Sequence, residues 1–335
     1  DASRQELPWV KKCLDVTPKW WNETSELLRT KILRGIQSGD IWLSKVKHDQ
    51  NGERIFSNVC LEIYLPSRGT CLLEHINISQ CEIDGIIPAF LEGMSNLCGL
   101  HSKTGVGATG EYLAPEEDKQ VGLGILGLAN FLRRQGVSYA AFGEALGLIE
   151  DEEAVWTPAL CLARELACAI AGAANVARAS GMARAFTIAP TASCSYNYTD
   201  LDGYTTCPEI APPISRHIDR DSGTFGVQSY DYGDVEIASE VGWDAYKSVA
   251  DGICQLFTNT GLFHGYSFNS WSDVVTYDSG FIEEWFNSPQ TSLYYALQVM
   301  PDTLRKDDVT SILDEDYHDI FGLDNDDSFC ASCAE

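Results

Sequence analysis

Asn58-Val59-Cys60-Leu61-Glu62, with Cys71 eleven residues on, is the stretch on which the reading of this chain turns. In an extended segment alternate side chains share a face, so Asn58, Cys60 and Glu62 are expected to project together. That places an amide, a thiol and a carboxylate in one small volume. A carboxylate can take a proton from a ligand hydroxyl, an amide can hold a second oxygen, and a thiol can serve as nucleophile or as hydrogen-atom abstractor. The plain alternative is a half-buried strand with a core cysteine, since free cysteine is among the most buried residue types.

The flanks weigh against that alternative. Gly39-Asp40-Ile41-Trp42 lies upstream, Ser57 to Ile63 carries the chemistry, and Gly69-Thr70-Cys71-Leu72-Leu73 follows. Together they resemble the catalytic (large, alpha) subunit of ribonucleotide reductases, of viral or bacterial type. The resemblance implies an α/β fold, part of a ten-stranded α/β barrel with the N-x-C-x-E loop as a finger through its centre. It further implies that Cys60 is the thiyl-radical residue, Glu62 the base for the ribose 3′-hydroxyl and Asn58 a substrate-positioning amide. Cys71 is then one of two cysteines that supply reducing equivalents.

Composition sets the bounds. A chain of 335 residues, 44% hydrophobic and 21% charged, can bury a sizeable core. No uninterrupted apolar run of about 18 residues suggests a membrane span. The chain begins with Asp1 and shows no basic-then-apolar signal segment, so a soluble fragment or processed piece is expected. Twelve cysteines scattered without metal-site spacing point to reduced thiols and a cytoplasmic protein. A formal charge of -26, from 23 basic against 49 acidic residues, argues against a polynucleotide partner. It leaves room for a single nucleotide, because backbone amides can hold a diphosphate without net positive charge.

Residues 1–57 read as a helical lead-in and first strand: a helical pattern through Leu27, Leu28, Ile32, Leu33 and Ile36, an end at Gly39, and a strand at Ile41-Trp42-Leu43. Asp49-Gln50-Asn51-Gly52 is a turn signal. Residues 58–315 are taken as the catalytic barrel portion. Within it, Glu82 to Leu100 is mixed in character and Ser102 to Glu117 reads as a loop.

Gly122-Leu123-Gly124-Ile125-Leu126-Gly127 has the spacing of a dinucleotide fingerprint, but the polar run Glu116 to Gln120 precedes it where that fingerprint needs a hydrophobic strand. A barrel strand entering a helix near Asn130 to Gln135, with glycines for close packing, is the reading adopted. Ala159 to Arg184 is alanine-rich and reads as one long helix, followed by a strand at Phe186 to Ala189 and then Pro190-Thr191-Ala192-Ser193-Cys194-Ser195. By composition the last stretch is a turn or helix cap. By the resemblance, Thr191, Ala192 and Ser193 bind the substrate phosphates.

Farther on, Asp244 to Phe257 reads as an amphipathic helix and His264 as a structural histidine. Thr291-Ser292-Leu293-Tyr294-Tyr295-Ala296 carries adjacent tyrosines that would ordinarily be core or rim aromatics. In reductases supplied by a separate small subunit, an L-Y-Y element carries radical-transfer tyrosines behind the catalytic cysteine. Tyr294 and Tyr295 match it. The resemblance therefore implies no directly bound cofactor and a radical from a metal-containing small subunit, with adenosylcobalamin as the alternative source. Residues 316–335 are expected to be a flexible acidic tail in which Cys330 and Cys333 recycle the enzyme with thioredoxin or glutaredoxin.

The resemblance spans roughly residues 30 to 335 and departs at the front, because only 57 residues precede Asn58 where the family has a helical region and a first half-barrel. The second cysteine of the active-site pair comes from that half. Cys13, Cys81 and Cys98 are available thiols outside a matching context. The expected function is reduction of ribonucleoside di- or triphosphates together with a separate N-terminal half. Competing readings are a non-radical cysteine nucleophile, with His75 as the nearest base in sequence, and an inactive binding module.

Overall fold

The computed structural model describes residues 12–104, 109–221 and 226–301. Its strands, in chain order, begin with β1 (Lys12–Val16), β2 (Ile41–Lys45), β3 (Lys47–His48), β4 (Arg54–Ser57) and β5 (Tyr64–Leu65). Next come β6 (Leu73–Asn77), β7 (Gln120–Leu126), β8 (Arg184–Ile188), β9 (His217–Asp221) and β10 (Val227–Asp231). The last are β11 (Phe263–Tyr266), β12 (Ser270–Trp271), β13 (Ser292–Leu293) and β14 (Ala296–Leu297).

The centre is a parallel sheet in spatial order β11-β8-β7-β6. Parallel neighbours need long crossovers, and helices supply them: Ile86–His101 between β6 and β7, Pro158–Ala179 before β8, and Trp243–Asn259 before β11. Every residue of β7 and β8 is buried, as expected of strands covered on both faces. Flanking it are the β1-β2-β13 sheet, the antiparallel β3-β4-β5 sheet, the β9-β10 hairpin and the β12-β14 pair. Among the described residues these strands form separate sheets rather than one closed ring.

The glycines of the would-be fingerprint fall inside β7 instead of in a loop after it. A Cβ at Gly124 would collide with the Thr187 carbonyl oxygen and come within 2.5 Å of His75 Nε2, so neighbouring strands approach where only glycine fits. Two sequence expectations are corrected. Glu82 to Leu100 is mostly one helix, Ile86–His101, which packs on β6 and β7. The alanine-rich helix stops at Ala179, because Gly181 adopts φ +77 and Arg184 already belongs to β8. By length and composition that helix, Pro158–Ala179, is the one among the described residues that could cross a membrane. Half of its apolar window is buried in the protein, where it packs against Ile86–His101 and Tyr139–Gly147.

Candidate active site

The N-x-C-x-E stretch is a loop joining β4 to β5, which corrects the extended geometry expected from sequence. The chain reverses: Asn58 N–H donates to the Ile63 carbonyl at 3.0 Å, and Ile63 N–H donates to Asn58 Oδ1 at 3.3 Å. Leu61 takes φ +63, a left-handed conformation that favours glycine and is retained at tightly determined sites. Val59 at the tip is 82% exposed. Asn58 and Glu62 nevertheless meet, Asn58 Nδ2 donating to Glu62 Oε1 at 2.8 Å and lying 3.8 Å from Cys71 Sγ. Reversal of the backbone, not alternation along a strand, assembles the amide, carboxylate and second thiol.

The loop is fastened to the central sheet from two strands. Thr187 in β8 donates Oγ1–H to the Glu62 carbonyl at 2.6 Å, and Ser267 just after β11 donates to the Cys60 carbonyl at 2.5 Å. Gly265 in β11 lets the loop backbone come close, since a Cβ there would overlap the Glu62 carbonyl group. Thr70, beside Cys71, is held through its N–H to Asp118 Oδ2 at 2.8 Å. Asp118 in turn forms a buried pair with Arg184 at 2.6 Å.

Electrostatics follow from this crowding. Glu62 is 3% exposed, and burial raises its pKa against the opposing hydrogen bonds from its own amide, Asn58 and Ser267. Its Oε2 is buried without a hydrogen-bond partner. Cys71 keeps solvent-accessible area but is crowded by protein. Burial, then the neighbouring Glu62 and Cys60, push its thiol up to about 12. Such a thiol is a poor nucleophile near neutrality and retains its hydrogen.

Cys60, partly buried, packs against a buried cluster made of Trp42, Leu61, Tyr294 and Tyr295. The ring centroids of Tyr294 and Tyr295 are 4.4 Å apart, and those of Trp42 lie 4.5 and 5.1 Å from them. Both tyrosines are buried, with Tyr294 N–H on the Phe268 carbonyl at 2.8 Å and Tyr295 N–H on Asn269 Oδ1 at 3.1 Å. The structure thus brings Tyr294 and Tyr295, more than two hundred residues later in sequence, to the loop that carries Asn58, Cys60 and Glu62 and meets Cys71.

Thr191, Ala192 and Ser193 begin a short helical turn after β8. Thr191 Oγ1 accepts from Glu209 N–H at 2.8 Å, and Ser193 Oγ accepts from Arg220 Nη1 at 3.2 Å. Arg220 also lies over the Tyr196 ring. His75 is not placed as a base: Ala189 N–H donates to its Nε2 at 3.0 Å, and burial lowers its pKa to about 4. The ordinary-nucleophile reading thereby loses its proposed partner. All described cysteines are free thiols. Cys98 sits in the core and Cys81 points its thiol at the Asn77 carbonyl. Burial and Asp15 push Cys13 in β1 up to about 11. Cys330 and Cys333 lie outside the described residues. Among the described residues no group of three or more His, Cys, Asp or Glu side chains could hold a metal ion.

Sequence reasoning missed three residues here: Asp118, Arg220 and Glu209. Asp118 was legible only as part of a polar run. Glu209 follows a Cys-Pro pair in an irregular loop, a signal of a turn that does not reveal burial. It is 8% exposed with φ +51, and the Glu62 charge acts on its carboxyl.

No protein-family model matches the sequence, and no curated protein matches it. Among solved structures, the class Id ribonucleotide reductase alpha subunit of Actinobacillus ureae is similar with a TM-score of 0.54 at 15% identity. The match covers 86% of this chain and 65% of that one. At this identity the likeness shows a shared fold.

Proposed function

We propose that this chain is the C-terminal portion of a ribonucleotide reductase catalytic subunit and reduces ribonucleotides by thiyl-radical chemistry. The observation that carries the reading is that Cys60 packs against a buried cluster holding paired tyrosines, while Asn58, Glu62 and Cys71 meet at the same loop. The tyrosines are the route by which a radical reaches Cys60, and Cys60 takes a hydrogen atom from the ribose. Glu62, with one carboxylate oxygen lacking a partner, takes the proton of the 3′-hydroxyl. Asn58 orients the carboxylate and the substrate, and Cys71 gives one of the two reducing equivalents.

The rest of the machinery is supplied by partners. The match spans 65% of the length of the structural neighbour. In this reading a separate N-terminal half completes the barrel and contributes the second reducing thiol. A metal-containing small subunit generates the radical, and thioredoxin or glutaredoxin restores the thiols through Cys330 and Cys333. Thr191, Ala192 and Ser193 receive the phosphates of a ribonucleoside di- or triphosphate.

Tyr294→Phe and Tyr295→Phe test the radical route, because each keeps the ring and removes only the redox-active hydroxyl. Each variant should abolish reduction in the reconstituted enzyme while thermal unfolding and nucleotide affinity stay near wild type. Turnover of either variant with adenosylcobalamin alone would overturn the assignment of the radical source.

A further inference from the structure

The β9–β10 hairpin reaches the turn that begins at Thr191, and it does so with one face. Along β9 the burial alternates: His217, Asp219 and Asp221 are exposed, while Ile218 and Arg220 are half-buried. Across the ladder Ile218 stands opposite Tyr230 and Arg220 opposite Gln228. Tyr230 stacks on Tyr196, with ring centroids 4.2 Å apart and planes 15° from parallel. The Arg220 guanidinium lies 5.4 Å from the centre of the same Tyr196 ring, and its Nη1 donates to Ser193 Oγ at 3.2 Å. The hairpin thus delivers a cation to this turn.

The turn has little else with which to hold an anion. Thr191 and Ala192 are buried, at 3% and 9% exposure, and of the three residues only Ser193 is exposed. Thr191 Oγ1 already accepts from Glu209 N–H. The four residues of Ala192–Ser195 align too few peptide dipoles to offer much charge. The chain as a whole, with 49 acidic against 23 basic residues, repels anions. Ser193 and the Tyr196 ring are neutral, so neither cancels the charge that Arg220 brings. Asp219 lies on the opposite face of β9, where it accepts from Ser229 Oγ at 2.6 Å. A hydroxyl that accepts through a lone pair keeps its own hydrogen to donate. Arg220 and Ser193 together therefore present a guanidinium fork beside an O–H, a donor set suited to phosphate oxygens.

We infer that Arg220 is a phosphate-binding residue, gripping a phosphate group of the ligand together with the Ser193 hydroxyl. The inference rests on the reading of the Thr191 to Ser193 turn as the place where nucleotide phosphates bind, and it divides the work there. Thr191 and Ala192 shape the turn, whereas Ser193 and Arg220 hold the anion. Tyr196 seats the guanidinium through its ring face, and Tyr230 fixes that ring from the neighbouring strand of the hairpin.

Isothermal titration calorimetry of the full chain with inorganic pyrophosphate tests it without turnover. The wild type should bind, and Arg220→Gln, which keeps a donor for Ser193 and removes the charge, should weaken binding roughly 10- to 100-fold. Arg220→Lys, with the charge but without the fork, should fall between the two. Ser193→Ala is an independent arm should an Arg220 variant fail to fold, and should weaken binding roughly 3- to 10-fold. Arg216→Gln removes the same charge from the residue before β9, where it pairs with Glu240, and should bind as the wild type does. No binding by the wild type, an affinity in Arg220→Gln within about twofold of wild type, or an equal loss in Arg216→Gln would overturn the inference. Pyrophosphate binding that depends on Arg220, in a chain whose reconstituted form makes no deoxyribonucleotide, would uphold it and remove the reductase reading. Reduction by the wild type with an unchanged KM in Arg220→Gln would do the reverse.

Discussion

Replacing Gly265 by alanine probes how the loop is seated. A Cβ built on Gly265 overlaps the Glu62 carbonyl oxygen and stands 2.6 Å from its carbon and 3.2 Å from Ile63 N. Ordinary carbon contacts lie at about 3.5–4 Å, so the loop backbone must withdraw by about 1 Å. β11 cannot yield as easily, because it is laddered to β8. Withdrawal stretches the Thr187–Glu62 and Ser267–Cys60 hydrogen bonds, now 2.6 and 2.5 Å. Two such bonds contribute about 1 kcal/mol each, and overpacking adds roughly 1–3 kcal/mol. Gly265→Ala should therefore lose roughly 3–5 kcal/mol in urea unfolding, or undock the loop and speed amide exchange across residues 58–63. Gly99→Ala, in the Ile86–His101 helix with nothing within 4 Å of its Cβ, is the control and should gain about 0.5–1 kcal/mol. Wild-type stability together with wild-type exchange in Gly265→Ala would refute the seating described here.

Three further outcomes are expected. Asp118→Ala strands the buried Arg184 guanidinium and should cost roughly 3–5 kcal/mol by denaturant titration, whereas a loss under about 1 kcal/mol would show that the pair does not brace the Thr70–Cys71 segment. Cys71 should react slowly with iodoacetamide at pH 8, and Glu62→Gln should accelerate it by removing a charge that disfavours the thiolate; unchanged rates would place Glu62 too far away. Glu209 is raised from 4.5 to about 8 in the folded chain, so the native state holds a proton that the unfolded state releases. Its contribution is fullest below pH 4.5 and declines as pH rises toward 8, by on the order of 3–5 kcal/mol. Glu209→Gln should flatten the stability profile over that window, and a profile parallel to wild type would contradict the buried carboxyl.

Local signals carried much of the fold. The helix Glu26–Gln37, the strand Ile41–Lys45 and the helix Trp243–Asn259 follow from apolar periodicity and the breaks that bound it. The turn at Asp49 to Gly52 follows from its residues, Gly52 adopting φ +78. The Ile86–His101 helix was obscured because Gly93 and Gly99 interrupt its pattern. Gly93 is there because Ile76 of β6 would meet a Cβ at 2.5 Å, a tertiary cause that no local pattern displays. The overrun to Arg184 ignored Gly181, and Arg184 is drawn to the sheet by Asp118, sixty-six residues earlier. Within the site, Asn58, Cys60, Glu62 and Cys71 were legible as candidate groups but not as geometry, since the Asn58 side chain closes the loop on itself. Glu209 was not legible because its burial and its left-handed backbone depend on Asn130, Gly127 and Thr191, which are distant in sequence.

The central claim is tested most directly by nucleotide reduction with Cys60→Ser, measured as deoxyribonucleotide formed by the chain reconstituted with the N-terminal half and radical-generating subunit that the proposed function calls for. A serine O–H bond is too strong to exchange a hydrogen atom with the ribose carbon, and the substitution is nearly isosteric. The account predicts conversion by the wild type, no detectable product from Cys60→Ser, and nucleotide affinity within about twofold of wild type, since the thiol does not hold the ligand. Deoxyribonucleotide formation by the serine variant would contradict it.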